Sequence, residues 1–293
     1  MNNNLYTGAA YYPELWNDDV IARDIELMKQ AGINVVRMGE FMWSTLEPEQ
    51  DTFNIEVLVD VIDKLYKNGI STIMCTPTAT PPVWISFGHE ERMIKYDDNI
   101  PMSHGGRQQV CTNNAFMRER SMIITEKVAK VYGRLNGVIG WQIDNELKGN
   151  VWECMCDSCQ VLWHKWLEER YKTIEKLNEE WGTAIWSQHY NSFEQVQMPK
   201  RTPMGQNQSL KVAFMRFSRD MVTDFSNQQA DIIRKYSDLP ITHNASLNHF
   251  IDNQKLFEAL DFVSFDQYSP SKDYQSFLCW CNSYKTIKPE VPF

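Results

Sequence analysis

Short apolar segments alternate along this chain with longer amphipathic ones. Each short segment is rich in β-branched or aromatic residues and ends in polar residues, which is typical of strands in a parallel sheet. Each longer segment repeats apolar residues at helical spacing. The pattern predicts strands at 5–11, 33–38, 70–75, 138–143, 240–245 and 261–267, and helices at 54–68, 116–135, 160–181 and 209–236. The chain is therefore expected to have an α/β fold.

Repeated βα units fit either a doubly wound sheet or a (β/α)8 barrel. No GxGxxG or GxxxxGK[ST] segment follows a predicted strand, which favours the barrel of TIM type. A complete barrel has eight strands, whereas six are predicted and only 26 residues follow Gln267. We expect an incomplete barrel in one domain, 1–293, with residues 147–236 forming an insertion after the fourth strand.

Composition narrows the class of protein. The 293 residues are 43% hydrophobic and 23% charged, which is typical of a globular protein. No apolar run reaches the roughly 20 residues of a membrane span, and the N-terminus has no signal-peptide pattern. The net charge of −9, without a basic stripe, argues against nucleic acid as a partner. We expect a cytoplasmic protein with no membrane or nucleic-acid partner.

Three cysteines follow the spacing CxCxxC at Cys154, Cys156 and Cys159, and Cys111 is a distant fourth candidate. Four thiolates complete a tetrahedral zinc site with no open position, so a zinc ion there would be structural. In a cytoplasm that disfavours disulfides, the cluster favours zinc. Free thiols and an iron–sulfur cluster are the alternatives.

The run WQIDNE at 141–146 is the sharpest sign of catalysis. It is an apolar strand that ends in an amide and a carboxylate, which a barrel places at its mouth. There Glu146 could deliver a proton to a leaving-group oxygen, and Asn145 could bind a sugar hydroxyl. The alternative is an ordinary polar strand end. His243 and Asn244, which end the fifth predicted strand, are candidates for minor substrate contacts.

This run and its context resemble the family 42 glycoside hydrolases, which are β-galactosidases with a (β/α)8 barrel. One such segment would be weak evidence, but the segments follow one another in order through the whole chain. Beside 141–146 they are YYPELW (11–16), RMGEF (37–41), WSTLEP (43–48), TATPPVW (78–84), RQQVC (107–111), WGTAIWS (181–187) and SFDQY (264–268).

The resemblance implies a role for individual residues. Glu146 would be the general acid/base, and Asn145 would contact the sugar 2-hydroxyl. Arg107, Trp186 and Tyr268 would line the galactose subsite, where aromatic faces suit the C–H face of a pyranose and Arg supplies fixed donors. Family 42 enzymes also commonly carry the four-cysteine zinc cluster. Two further carboxylates near the mouth, Glu14 and Glu40 by position, are expected to support the site.

The resemblance also implies what the chain lacks. In the family, a nucleophilic Glu follows a segment similar to KPEVPF at 288–293, so the nucleophile is expected beyond residue 293. The trimerisation domain and the C-terminal β-sandwich are expected to be absent too, although full-length members form homotrimers. We therefore expect a β-galactosidase catalytic portion that is inactive alone. An α-L-arabinopyranosidase, another retaining hydrolase of this barrel type, and a non-catalytic sugar-binding pseudoenzyme are the alternatives.

Overall fold

The computed structural model describes residues 5–246 and 248–291. Within them the strands are β1 (Gly8–Ala10), β2 (Val35–Met38), β3 (Ser71–Cys75), β4 (Val138–Gln142), β5 (Ile241–Thr242), β6 (Asn244–Ala245) and β7 (Ser264–Phe265). The α-helices are α1 (Asp18–Gln30), α2 (Trp43–Leu46), α3 (Val59–Lys67), α4 (Val83–Ser86), α5 (Ala115–Tyr132), α6 (Asp157–Tyr171), α7 (Ile174–Trp181), α8 (Gln208–Ile233), α9 (Asn253–Glu258) and α10 (Tyr274–Lys285). No helix of the described ranges is both long and apolar enough to cross a bilayer. The signal-peptide expectation and the 288–293 segment extend to residues 1–4 and 292–293, which lie outside the described residues.

The strands pair in parallel and in chain order. β1 to β5 form one sheet in the order β1-β2-β3-β4-β5, and β6 pairs with β7. The register places Val36 opposite Thr72, Met74 opposite Trp141, and Trp141 opposite Ile241. Because each new strand is added beside the previous one, the sheet grows as the wall of a (β/α)8 barrel does. The predicted incomplete barrel is confirmed.

The predicted strand 240–245 is two short strands, because the chain changes partner at His243. β5 pairs with β4, whereas β6 pairs with β7. Between them, the His243 ring contacts the chain that leaves β4: Nδ1 lies 2.8 Å from the Ile143 carbonyl oxygen, and Nε2 accepts a hydrogen bond from the Leu147 amide at 3.2 Å. A side chain therefore replaces the backbone ladder at this point.

The predicted helix 160–181 is also divided. α6 ends at Tyr171, and Lys172 has a positive φ of 67°. The Thr173 side chain then accepts a hydrogen bond from the Lys176 amide at 3.2 Å, which caps the start of α7. The chain thus turns at Lys172 without a glycine or a proline.

Helices pack on the sheet through apolar faces. On α3, Val61, Ile62 and Leu65 are buried at helical spacing, and each contributes about 1.5–3 kcal/mol by leaving water. α5 begins where the Asn114 side chain accepts a hydrogen bond from the Met117 amide. These contacts form the main core around β1 to β5.

A second core lies among the helices between β4 and β5. Trp163 of α6 packs edge-on against Phe214 of α8, with ring centroids 5.4 Å apart, and the clustered cysteines are buried in the same core. Further along α8, Ala230 and Ile233 are buried in the main core. α8 therefore connects the two cores. The boundaries 147–236 for an inserted region stay a prediction.

Candidate active site

Glu146 lies in a turn directly after β4, at the carboxyl end of the sheet. Asp144, Glu146 and Lys148 have positive φ angles of 53°, 46° and 59°. Non-glycine residues pay about 1–3 kcal/mol each for such backbone conformations, which persist only where the surroundings impose them. The turn therefore depends on contacts from neighbouring elements.

Gln108, in the segment between α4 and α5, holds the turn through hydrogen bonds from its side chain to the backbone of the turn. Its Nε2 donates to the carbonyl oxygens of Asn145 at 2.9 Å and Glu146 at 2.7 Å, and its Oε1 accepts from the Asn150 amide at 3.2 Å. The sequence reasoning missed Gln108. Gln108 follows Arg107 directly in the sequence. An amide side chain whose partners are backbone groups of another loop belongs to no motif that the sequence would reveal.

The Glu146 carboxylate faces a guanidinium and an amide. Arg107 Nη1 donates to Glu146 Oε2 at 3.0 Å, and Asn145 Nδ2 donates to the same oxygen at 3.3 Å. The Glu146 side chain is 20% exposed and that of Arg107 is 36% exposed. The guanidinium also lies 5.5 Å from the centre of the Phe41 ring. The structure thus brings together three predicted site residues at a partly open position.

A second carboxyl group, that of Asp266 after β7, contacts Glu146. Burial, and after it the interaction with Glu146, raise the pKa of Asp266 to about 6. The Tyr268 side chain is exposed, and the charge of Asp266 is the main reason that its pKa is raised. Tyr268 therefore lies within electrostatic reach of the carboxyl pair. Asp266 lies within the SFDQY segment at 264–268, but no role was predicted for it from the sequence.

Two titratable groups are buried at the turn: Asp144, which belongs to it, and His243, which contacts it. Burial raises the pKa of Asp144 to about 6, although a 2.5 Å hydrogen bond donated by Thr78 Oγ1 lowers it. Burial lowers the pKa of His243 to about 4, so its ring is neutral at pH 7. Because the Leu147 amide donates to Nε2, the ring proton lies on Nδ1 and is donated to Ile143. Both groups support the turn from inside the protein.

Trp186 lies in a different hollow. Its side chain is 67% exposed and lines a space of about 490 Å³ with Met204 and Asn207. Arg107 lines another open hollow, of about 440 Å³. Within the described residues, no contact joins Trp186 to Glu146 or Arg107, so its role in sugar binding stays a prediction.

The two carboxylates expected to support the site, Glu40 and Glu14, differ in burial, since Glu14 is only partly buried. Glu40 is fully buried, and its Oε1 accepts from Arg37 Nε at 3.1 Å and from the Tyr12 hydroxyl at 3.3 Å. Gly39 has a φ of +101°, a conformation that glycine adopts without strain, and so turns the chain inward before Glu40. Burial raises the pKa of Glu14. The pair of Glu40 with Arg37 fixes the mouth side of β2.

The four predicted ligand cysteines meet in one buried cluster. The Sγ atoms of Cys111, Cys154, Cys156 and Cys159 all lie within 4.8 Å of one another. They come from the loop before α5, the loop after β4 and the first turn of α6. Hydrogen bonds from the other three thiols, that of Cys111 first, lower the pKa of Cys156. The donor set and its closeness fit a metal ion, because thiolates bind soft and borderline metals.

Comparison with known proteins shows similarity to beta-galactosidases, in agreement with the resemblance seen in the sequence. Residues 10–293 match the family model Glyco_hydro_42, described as beta-galactosidase. The chain is 50% identical over 293 residues to beta-galactosidase YesZ of Bacillus licheniformis, covering 100% of this chain and 44% of that protein. It is 48% identical over 289 residues to YesZ of Bacillus subtilis, covering 99% of this chain and 44% of that protein.

Solved structures agree. The crystal structure of the beta-galactosidase from Rahnella sp. R3 superposes with a TM-score of 0.92 at 33% identity, over 99% of this chain and 44% of that one. The beta-galactosidase from Marinomonas ef1 gives a TM-score of 0.90 at 29% identity, over 97% and 46%. This chain thus spans less than half the length of these relatives. By sequence and by fold, it belongs to family 42 of the glycoside hydrolases, the beta-galactosidase family.

Proposed function

We propose that this chain supplies the acid/base part of a retaining β-galactosidase, which cleaves terminal β-D-galactosyl residues. The observation that carries the proposal is the Glu146 carboxyl group at the carboxyl end of β4, in contact with Arg107 and Asn145. In this role Glu146 protonates the glycosidic oxygen of the departing aglycone. In the second step it removes a proton from the attacking water.

The retaining mechanism needs a second carboxylate as nucleophile, about 5–5.5 Å from the acid/base. Asp266 interacts with Glu146 and accepts a hydrogen bond from Asn244 at 2.8 Å, and we do not give it that role. We assign the nucleophile to none of the described residues, and we expect little or no turnover from the chain alone.

Sugar recognition falls to groups around Glu146. Arg107 and Asn145 carry hydrogen-bond donors that now lie on the Glu146 carboxylate, and a bound galactose would offer them hydroxyl oxygens instead. Tyr268 is 84% exposed beside Asp266, where its ring can lie against the apolar face of a pyranose. Trp186, from its separate hollow, is the fourth proposed contact.

We further propose that Cys111, Cys154, Cys156 and Cys159 hold a structural zinc ion. Bound zinc supplies only cross-linking there, since four thiolates leave no position for substrate or water. A small cavity of about 50 Å³ is lined both by Thr78, Asp144 and Leu147 and by Cys111, Cys154 and Cys159 of the cluster. The cluster therefore packs behind the Glu146 turn, where it can fix the loops that carry Arg107 and Glu146.

Location and assembly are part of the same proposal. Four free, buried thiols suit a reducing compartment, so we place the protein in the cytoplasm, with a galactoside as its partner and neither membrane nor nucleic acid. We expect full-length proteins that contain this chain to form homotrimers.

The test is hydrolysis of nitrophenyl β-galactoside and nitrophenyl α-L-arabinopyranoside. The chain is assayed alone and joined to the unmatched C-terminal part of the Bacillus licheniformis relative. We expect activity only from the joined protein, higher on the galactoside, and abolished by Glu146→Gln. Glu169→Gln, on the exposed face of α6, is the matched control. A folded joined protein without activity, or one unaffected by Glu146→Gln, would contradict the proposal.

A further inference from the structure

Asn244, in β6, uses its whole side-chain amide on the Glu146 turn. The residue is 3% exposed. Its Oδ1 accepts a hydrogen bond from the Glu146 amide at 3.1 Å. Its Nδ2 donates both hydrogens, one to Asn145 Oδ1 at 3.0 Å and the other to Asp266 Oδ2 at 2.8 Å. One buried amide therefore contacts three groups of the candidate site.

These bonds leave no freedom in the orientation of either amide. A backbone N–H only donates, so the Asn244 atom that faces Glu146 must be the oxygen. The nitrogen of Asn244 then faces Asn145, and the Asn145 atom that meets it must be an oxygen. Asn145 is thereby left with its N–H₂ group toward Glu146 Oε2, 3.3 Å away.

We propose that Asn244 is a positioning residue, which makes Asn145 present its donor rather than its acceptor to Glu146 and to the sugar, and which holds Asp266 against Glu146. The inference rests on the proposed function for the roles of Glu146 and Asn145. It adds a specificity device: a sugar hydroxyl at this position meets an N–H donor because a residue on another strand has fixed the amide.

Asn244→Asp keeps the shape of the side chain and its acceptor oxygen but removes both of its N–H donors. A carboxylate still accepts from the Glu146 amide, but it has no hydrogen to give to Asn145 Oδ1 or Asp266 Oδ2. The Asn145 amide is then expected to turn over and present its oxygen to the sugar. Asp266 also loses a hydrogen bond that lowers its pKa and gains a facing carboxylate. Both changes favour the protonated form of Asp266.

A change in the pKa of Asp266 can be assigned to Asn244 only if the other charged groups near Asp266 stay the same. The charged or titratable groups near it come from the β2 strand, the turns after β4 and β7, the loop before α5, and α10. They are Arg37, Glu146, Tyr268 and Tyr284, together with Arg107, which acts on Tyr268. The variant changes none of them, so a pKa shift of Asp266 reports the loss of Asn244.

The experiment compares the 293-residue chain with its Asn244→Asp and Asn244→Ala variants. The control is Asn34→Asp, at the amino end of β2, because Asn34 Oδ1 also accepts from a backbone amide and its Nδ2 also donates to an oxygen. One readout is the ratio of the dissociation constants of 2-deoxy-D-galactose and D-galactose, because Asn145 is expected to contact the sugar 2-hydroxyl. The other is the pKa of Asp266 from carboxyl ¹³C NMR, assigned with Asp266→Asn.

We expect the unsubstituted chain and Asn34→Asp to prefer galactose by about tenfold, the value of one hydrogen bond. Both Asn244 variants should lower this ratio, because the Asn145 amide is no longer fixed with its donor toward the sugar, and should raise the pKa of Asp266, by about one unit or more in Asn244→Asp. If Asn244→Asp fails to fold, Asn244→Ala gives both readouts without a buried charge. An unchanged ratio together with an unchanged pKa would overturn the inference.

If the unsubstituted chain binds no galactose, the sugar-binding part of the proposed function fails, and the titration still decides the role of Asn244. A raised pKa of Asp266 in the Asn244 variants but not in Asn34→Asp then supports positioning. The same pKa in all of these proteins refutes it.

Discussion

The buried carboxyl group of Asp144 should make the protein less stable as the pH rises. Asp144 is 2% exposed. Its oxygens accept from Thr78 Oγ1 at 2.5 Å and from the Asn145 amide at 2.7 Å. Asp144→Asn removes the charge and can keep both contacts. The new Nδ2 donates to Thr78 Oγ1, and the freed Thr78 hydroxyl donates to Gln229 Oε1, 3.2 Å away.

The size of the effect follows from the pKa. Burial raises the pKa of Asp144 from 3.8 to about 6 in the folded protein, a difference of about 2.2 units, or about 3 kcal/mol. Between these values the folded state binds more protons than the unfolded chain, so the free energy of unfolding falls as the pH rises. The cost of the charge is absent below the lower value and complete above about pH 6.

His243 acts in the opposite direction over nearly the same range. Burial lowers its pKa from 6.5 to about 4, so the stability that comes from burying the neutral ring is lost as the pH falls through this range. The two contributions largely cancel in the wild-type protein. Because the raised pKa of Asp266 adds a further loss of stability as the pH rises, only the difference between wild type and variant isolates Asp144.

The assay is urea unfolding at about pH 8, above both pKa ranges, and at about pH 4, at their lower end, where most of the effect of Asp144 is absent. Relative to wild type, Asp144→Asn should be more stable at the higher pH than at the lower pH by about 3 kcal/mol. Asp231→Asn, which removes an exposed carboxylate from α8, controls for the loss of one charge. An equal stability difference at the two pH values would refute the reasoning.

The remaining predictions concern other groups. His243→Asn should lose stability relative to wild type at about pH 8 and recover up to about 3 kcal/mol of that loss at about pH 4, as measured by urea unfolding; a constant difference would contradict it. Arg107→Gln should weaken galactose binding about tenfold in an NMR titration and change the free energy of unfolding by less than about 1 kcal/mol, because the ion pair is partly exposed. Elemental analysis should find about one zinc per chain in the wild type and in Cys279→Ser, whose cysteine is exposed, but much less in Cys156→Ser, together with a lower Tm. A metal-free wild type of unchanged stability would oppose the zinc assignment.

Much of the fold could be predicted because the three central strands, β2, β3 and β4, are mostly buried on both faces. β2, β3 and β4 fall within the predicted segments 33–38, 70–75 and 138–143, where an apolar run defines a strand by itself. The break at His243 could not be predicted, since a polar residue inside an apolar run gives no sign of which strand each half joins. The start of α7 had a signal, as Thr173 is a good N-cap residue.

The residues of the candidate site also differ in whether the sequence could predict them. Glu146 and Asn145 could be named because their chemistry and local order are distinctive, and Arg107 because of the resemblance to family 42. The structure places Arg107 and Asn145 in contact with Glu146. Gln108 and Asp266 gain their importance only from partners 22 or more positions distant along the chain, with which they meet after folding. No pattern within a single sequence segment records such a meeting.

The left-handed turn at Asp144, Glu146 and Lys148 limits how this site can be reused. A protein engineer who moved the hexapeptide WQIDNE onto another barrel would transfer the reactive groups without the forces that shape them. Gln108 and Asn244, on separate elements, would have to travel with it. The smallest transplantable unit is therefore a three-dimensional patch of the barrel mouth, and sequence grafts of the hexapeptide alone should relax to an ordinary loop.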